Sequence, residues 1–153
     1  MELRGRHGTE LELRITGYER PEEAVDPWES NALLVAVRVV SPQGTWSVED
    51  PCLTTWEAAR LARWLAALAR ADLRRGATRA EPNLVVSARP VPGAPDRLAL
   101  RVRLALERRP PWVQAGTELA VDLDLTRAQV SGAAAALAAE VAEYPRRGED
   151  PTL

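Results

Sequence analysis

Cys52 and His7 are the side chains whose types most often act as nucleophile and base, and each type occurs once among the 153 residues. Cys52 stands in the run Asp50-Pro51-Cys52-Leu53, directly before a predicted helix, and a helix N-terminus lowers the pKa of a thiol. A nucleophilic cysteine also needs a base, whereas the run Gly5-Arg6-His7-Gly8 predicts an exposed N-terminal turn. We therefore expect Cys52 to be a packing residue, and an enzyme that uses Cys52 with loop carboxylates stays an alternative.

Carboxylates between the predicted elements are the other possible source of acid and base chemistry. They are Glu22, Glu23, Asp26, Glu29, Glu49, Asp50, Glu81 and Glu107. No spacing selects an acid and base pair among them, so solvated loop charge is the prediction. The sequence also has no C-x-x-C pair, no Cys/His cluster and no glycine-rich phosphate-binding motif. We accordingly expect no catalytic residue, no metal ligand and no cofactor.

Charge and hydropathy narrow the class of protein further. The 20 basic residues, all arginine, nearly balance 22 acidic ones, and the net charge is -2. This balance argues against direct nucleic-acid binding, although an arginine-rich first helix keeps such a module as a second alternative. The N-terminal residues alternate charge with leucine, and no stretch approaches about 18 consecutive apolar residues. We expect a cytoplasmic protein without a membrane partner.

Alternating apolar and polar residues predict about six strands. They cover residues 9–16, 32–40, 45–49, 84–89, 97–107 and 119–125. Ser41-Pro42-Gln43-Gly44 predicts a hairpin turn, and the proline-rich residues 90–96 predict a turn in which no strand ladder continues. The last two strands should pair in antiparallel fashion, with Arg101 and Arg103 near Asp122 and Asp124.

Two helices complete the pattern, and each begins with a capping box. The boxes are Thr54 with Glu57 and Thr126 with Gln129, and each precedes an apolar stripe of helical spacing. The first helix is expected to end at Gly76 and the second at Pro145. The order predicts an α+β fold: a largely antiparallel sheet of about six to seven strands with two helices. We hypothesise two βββα units in one domain over residues 1–147, with 148–153 as a flexible tail.

Tryptophan is the aromatic residue that stands out, with five copies in a chain that lacks phenylalanine. Trp46, Trp56 and Trp64 fall on predicted elements and are expected in the core. Trp28 and Trp112 each follow a proline in a predicted loop. They either cap the core from outside or anchor a partner, and capping is the favoured interpretation.

Several short runs along the chain resemble one known family. They are Gly17-Tyr18, Asp26-x-Trp28-x-x-Asn31, the run from Asp50 to Glu57, Glu81-Pro82-Asn83-Leu84, Glu107-x-x-Pro110-Pro111-Trp112 and Tyr144-Pro145-Arg146. Together they resemble the WapI-like family of bacterial immunity proteins over residues 17–147. Proteins of this family are made beside contact-dependent or wall-associated toxins and bind the toxin domain. Ala32 departs from the pattern, since an aromatic residue is expected there.

The resemblance implies a cytoplasmic, non-catalytic protein that occludes a cognate toxin domain in bacterial competition. The partner-binding residues implied are Asp26, Trp28, Glu29, Asn31, Glu81, Asn83, Glu107 and Trp112. If that toxin is a nuclease with a basic active site, acidic loop residues would imitate phosphates and steer the two proteins together.

Overall fold

The computed structural model describes residues 1–22, 24–70, 76–81, 83–105, 110–114, 117–149 and 151. Its elements are β1 (Glu2–Arg4), β2 (Glu10–Tyr18), α1 (Pro27–Asn31), β3 (Ala32–Ser41), β4 (Gly44–Thr54), α2 (Thr55–Arg70), β5 (Ala77–Glu81), β6 (Leu84–Val91), β7 (Ala94–Leu104), β8 (Leu119–Thr126) and α3 (Arg127–Ala142). This composition confirms the predicted α+β class.

The strands form two four-stranded antiparallel sheets, in the orders β1-β2-β3-β4 and β5-β6-β7-β8. Each sheet leads directly into a long helix, so the chain repeats a ββββα plan. The prediction had one sheet of about six to seven strands, with three in each unit. The structure instead divides eight strands between two sheets, and β1 and β5 were missed because they are too short to show an alternating run. The sheets meet at β1 and β8, where the backbone N–H of Arg6 donates to the carbonyl of Asp124 at 3.2 Å.

The core lies between the two sheets and a layer made of α2 and α3, which pack against each other. Alternate residues of each long strand are buried and face this layer, as period-two patterning requires. Leu61 and Leu65 of α2 and Leu137 of α3 supply the helical side of the core. Of the tryptophans expected inside, Trp56 is buried, while Trp46 and Trp64 are partly buried against the core.

Strand pairing in the second sheet agrees only in part with the predicted register. Arg101 lies opposite Asp122 as expected, and the two form an ion pair. Asp124 instead forms its ion pair with Arg97, and Arg103 forms one with Glu118. The prediction that no ladder continues through residues 90–96 was wrong. A register shift next to Pro90 lets β6 and β7 stay paired up to the two-residue turn at 92 and 93.

Both predicted capping boxes are present. Thr54 N donates to Glu57 Oε2 at 2.7 Å, and Thr126 N donates to Gln129 Oε1 at 2.8 Å. The predicted end of the first helix falls beyond Arg70, where residues 71–75 lie outside the described part of the chain.

Two connections are much longer than the two-residue hairpin turns at 42–43 and 92–93. The β2–β3 connection, residues 19–31, contains the short helix α1, and the β7–β8 connection covers residues 105–118. Helix α1 was not predicted, since its single turn is too short to show a 3.6-residue period. In the described part of the chain, no helix is both long and apolar enough to cross a membrane.

Candidate protein-binding surface

The β2–β3 connection owes its shape to the capping of α1. Asp26 is the N-cap residue, and its side chain accepts a hydrogen bond from the backbone N–H of Trp28 at 2.8 Å. Pro27 occupies the first turn, where its missing N–H leaves no helical bond unmade. Ser30 adds a local closure, because its hydroxyl accepts from the N–H of Ala24 at 2.9 Å. The sequence of α1 therefore fixes where Trp28 and Glu29 stand.

Val25 and Trp28 are the large hydrophobic side chains exposed in the described part of the chain, at 104% and 43% of their full area. The Trp28 ring meets the ring of Trp56 edge to face, with centroids 5.1 Å apart. Trp56 belongs to the first turn of α2 and is buried. Trp28 thus contacts the start of α2 and remains partly exposed, three residues after the exposed Val25.

The charge of this connection is strongly one-sided. Residues 19–29 contain five acidic residues and a single arginine, an excess of four negative charges in a chain whose total is -2. Glu22, Asp26 and Glu29 are exposed, and Glu29 meets Arg20 at 3.5 Å. An exposed pair of hydrophobic residues is therefore set within an acidic surface.

Asn31 lies beneath this surface with no exposed area. Its Nδ2 donates to the carbonyls of Pro27 at 2.8 Å and Arg147 at 2.7 Å. Its Oδ1 accepts from the Thr55 hydroxyl and from the Arg147 N–H, both at 2.9 Å. Asn31 thus ties α1 to α2 and to the residues after α3, and its own side chain is buried.

Glu81 and Asn83, two further candidate residues, already have contacts within the chain. The Glu81 carboxylate is 6% exposed, accepts from Arg79 Nε at 2.7 Å and lies 3.8 Å from Arg60. Asn83 is half-buried, and its backbone carbonyl accepts from Ala105 N at 3.1 Å. The internal arginine contacts already occupy the Glu81 carboxylate.

Trp112 stands apart from the other candidate residues. Its indole lies over Gly44, where an added Cβ would come within 3.1 Å of the ring and the φ angle is 145°. Gly44 opens β4 at the hairpin end of β3, whereas α1 adjoins the other end. Ten residues of β3 separate these ends by about 30 Å. Glu107, the remaining candidate, lies outside the described residues.

Cys52 and His7 do not form a reactive pair. Cys52 is buried, and desolvation by burial, followed by the charges of Glu57 and Asp50, raises the pKa of its thiol to about 12. His7 is exposed in the β1–β2 connection, and three strand spacings from β1 to β4 amount to about 14 Å. Within the described ranges, no group of His, Cys, Asp or Glu side chains is placed to hold a metal ion.

A groove of about 720 Å³ crosses the outer face of the second sheet, and His7 lies at its edge. Arg101 forms two hydrogen bonds with the Asp122 carboxylate, at 2.7 and 2.8 Å. Those bonds hold the pKa of Asp122 below its usual range, and Arg97 does the same for Asp124. Charges on this face are thus paired largely within the chain.

The structure therefore brings Asp26, Trp28 and Glu29 together above the buried Asn31, and it leaves Trp112 at the far end of the first sheet. Sequence reasoning missed Val25. Its only signal was the apolar pair Ala24-Val25 between Glu23 and Asp26, with no alternation that would place it in a core. It also did not select Arg147, whose partners lie more than 110 residues earlier in the sequence.

Comparison with known families gives a match over nearly the whole chain. Residues 2–145 match the family model described as the immunity protein WapI-like family. The resemblance noted from the short runs is thereby confirmed. No match was found among curated proteins.

Proposed function

The chain belongs to the WapI-like family of immunity proteins, and we propose that it protects the cell that makes it by binding and occluding a cognate toxin domain in the cytoplasm. An immunity protein of this kind acts by occupying a surface and needs no reactive group of its own. The single observation that carries the assignment of the surface is the exposed Val25 and Trp28 pair within an acidic connection.

Trp28 has the properties of an interface anchor. Tryptophan is enriched among residues whose truncation weakens binding most, especially where a partner pocket excludes water from it. The ring already packs edge to face against Trp56, which reduces the side-chain entropy that remains to be lost on binding. Val25 extends the apolar area, and the acidic residues form its polar rim.

The acidic excess indicates what the partner surface looks like. A negatively charged connection is complementary to a cationic cleft, and a nuclease that binds phosphates has such a cleft. We propose that Glu22, Asp26 and Glu29 occupy the basic active site of a toxin nuclease, with Trp28 seated beside it. Complementary charge raises the association rate more than it slows dissociation.

The test uses the purified toxin domain encoded beside the gene for this chain, together with a growth assay in cells that express that domain. The wild-type chain should bind it and restore growth. Glu22→Arg should lower the association rate several-fold at low salt and much less at high salt, because salt screens exposed charges. Glu49→Arg, an equal charge change at an exposed position on β4, is the control and should leave the rate unchanged. Equal rates for both variants would reject the acidic surface.

A further inference from the structure

The residues that follow α3 lie against the β2–β3 connection, and Arg147 makes most of the contacts. Its Nη2 donates to the carbonyl of Pro21 at 2.8 Å. Its Nη1 donates to the carbonyls of Arg20 at 3.0 Å and Ser30 at 3.5 Å. The guanidinium carbon also lies 3.5 Å from the centre of the Tyr18 ring. One side chain therefore joins both ends of the connection.

The backbone of the same segment reinforces this attachment. The N–H and carbonyl of Arg147 bond to the Asn31 side chain, which closes the connection. Tyr18, which precedes the connection, donates its hydroxyl hydrogen to the carbonyl of Pro145 and meets the Tyr144 ring edge to face at 5.6 Å. The segment after α3 thus holds the point where the chain leaves β2 and the point where it enters β3.

These contacts require an arginine. The planar guanidinium has five N–H donors in a fixed fork and a face that stacks on an aromatic ring. Lysine would keep the charge, but its single ammonium group cannot reach three carbonyls and cover Tyr18 in the same way. Arg147 also lies beyond residues 2–145, the range of the family match.

We propose that Arg147 is a positioning residue that holds the β2–β3 connection in the shape that binds the toxin domain. The inference rests on the proposed function. Arg147 acts through the connection and makes no contact with the toxin in this proposal. Apparent affinity falls in proportion to the fraction of molecules whose binding surface is correctly formed, so a loosened connection weakens binding even when Trp28 and the acidic residues are intact.

The first experiment needs no toxin. Hydrogen exchange of the unbound chain reports the opening of the connection through the amides of Ala24, Trp28 and Ser30, each of which is hydrogen-bonded within it. Arg147→Ala and Arg147→Lys should both raise these exchange rates about tenfold while leaving the amides of β2 and β3 unchanged. Arg146→Ala is the matched control, since Arg146 is the exposed neighbour with the same charge.

Two results of this experiment would overturn the inference. Unchanged exchange in Arg147→Ala would mean that other contacts hold the connection. An equal rise in the connection and in β2 and β3 would mean that Arg147 supports the whole fold and has no special role in the connection.

The second experiment measures binding kinetics with the same purified toxin domain. Arg147→Ala should slow association about tenfold, and Arg147→Lys should not restore the rate. Removing a positive charge next to an acidic surface should by itself leave association with a cationic partner equal or faster, and Arg146→Ala measures that effect. Arg147→Ala is thus expected to slow association, whereas Arg146→Ala is not.

A Trp28→Ala variant separates the two proposals. If Trp28→Ala binds the toxin domain as the wild type does, the proposed surface is wrong. If Trp28→Ala weakens binding while Arg147→Ala associates at the wild-type rate, the surface stands and the positioning role of Arg147 is rejected.

Discussion

The two long connections of the molecule look alike in sequence and differ in structure. Each carries a proline followed by tryptophan, at Trp28 in residues 19–31 and at Trp112 in residues 105–118. Trp28 keeps 43% of its area exposed beside Val25, whereas Trp112 is half-buried over the β3–β4 turn. Charge differs as well, since the first connection is strongly acidic and the second contains two glutamates and two arginines. A Pro-Trp pair alone therefore does not identify a binding surface.

The positions of these connections explain why the difference arose without disturbing the fold. In the first ββββα unit the long connection joins the second and third strands, while the corresponding connection of the second unit is the turn at residues 92 and 93. The second unit instead lengthens the connection between its third and fourth strands. Each unit thus keeps the same sheet and helix and varies at a different turn, where insertions leave the core unchanged.

Replacing Asn31 should have the largest effect on stability. Asn31→Ala removes four hydrogen bonds, and it leaves the buried Thr55 hydroxyl and the backbone groups of Pro27 and Arg147 without these partners. We expect the free energy of unfolding, measured with urea, to fall by about 3 kcal/mol. Asn83→Ala is the control, with an expected change below about 0.5 kcal/mol, because its described hydrogen bond uses only the backbone carbonyl. Similar losses in the two variants would contradict the positioning role of Asn31.

Truncating the two loop tryptophans compares the connections directly. Trp28→Ala should weaken binding of the purified toxin domain by about 30-fold, equivalent to about 2 kcal/mol, because it removes the exposed anchor. Trp112→Ala should change that affinity by less than about threefold, since Trp112 lies at the far end of β3. Calorimetric titration of each folded variant measures both values. A larger loss for Trp112→Ala would transfer the proposed interface to the second connection.

The sequence predicted the strands that have one buried face and one solvent-exposed face. β2, β7 and β8 show clear alternation because their outer faces carry charge. The short strand β1, the short strand β5 and the single-turn helix α1 carry too few residues for any period to appear. Contacts that join distant parts of the chain, such as Arg147 with Pro21, leave no local pattern at all.

The candidate site was also predicted only in part. Residue type and family resemblance selected Trp28 and Asp26, which do lie on one surface. The same reasoning selected Asn31 for partner binding, and the structure buries its side chain, whose amide bonds to Pro27, Thr55 and Arg147. Polar type in a loop does not reveal burial, because burial depends on which other elements cover that loop.

The two capping boxes show how the repeated units differ at the start of their long helices. The start of α2 is covered by the β2–β3 connection, and Glu57 is buried, whereas Gln129 at the start of α3 is exposed. Glu57→Ala should lower the free energy of unfolding by about 2 kcal/mol, since it leaves the buried N–H of Thr54 without its acceptor. Gln129→Ala should lower it by about 0.5 kcal/mol, because water can replace the exposed bond. Equal losses would mean that the connection does not exclude water from the start of α2.

The pH dependence of stability that Cys52 contributes should be smaller. It measures independently how far water is excluded around Cys52, near the start of α2. Burial raises the pKa of its thiol from 9.0 to about 12, so above pH 9 the unfolded chain loses a proton that the folded chain keeps. Raising the pH therefore favours the unfolded state, and the ionisation of this thiol lowers the free energy of unfolding. Between pH 8 and pH 10 the wild type should lose about 1.4 kcal/mol more than Cys52→Ala, in which the other titrating groups are unchanged. Urea unfolding at the two pH values measures the difference. Equal losses in the two proteins would show that the thiol ionises in the folded chain, which would return Cys52 to consideration as a reactive group.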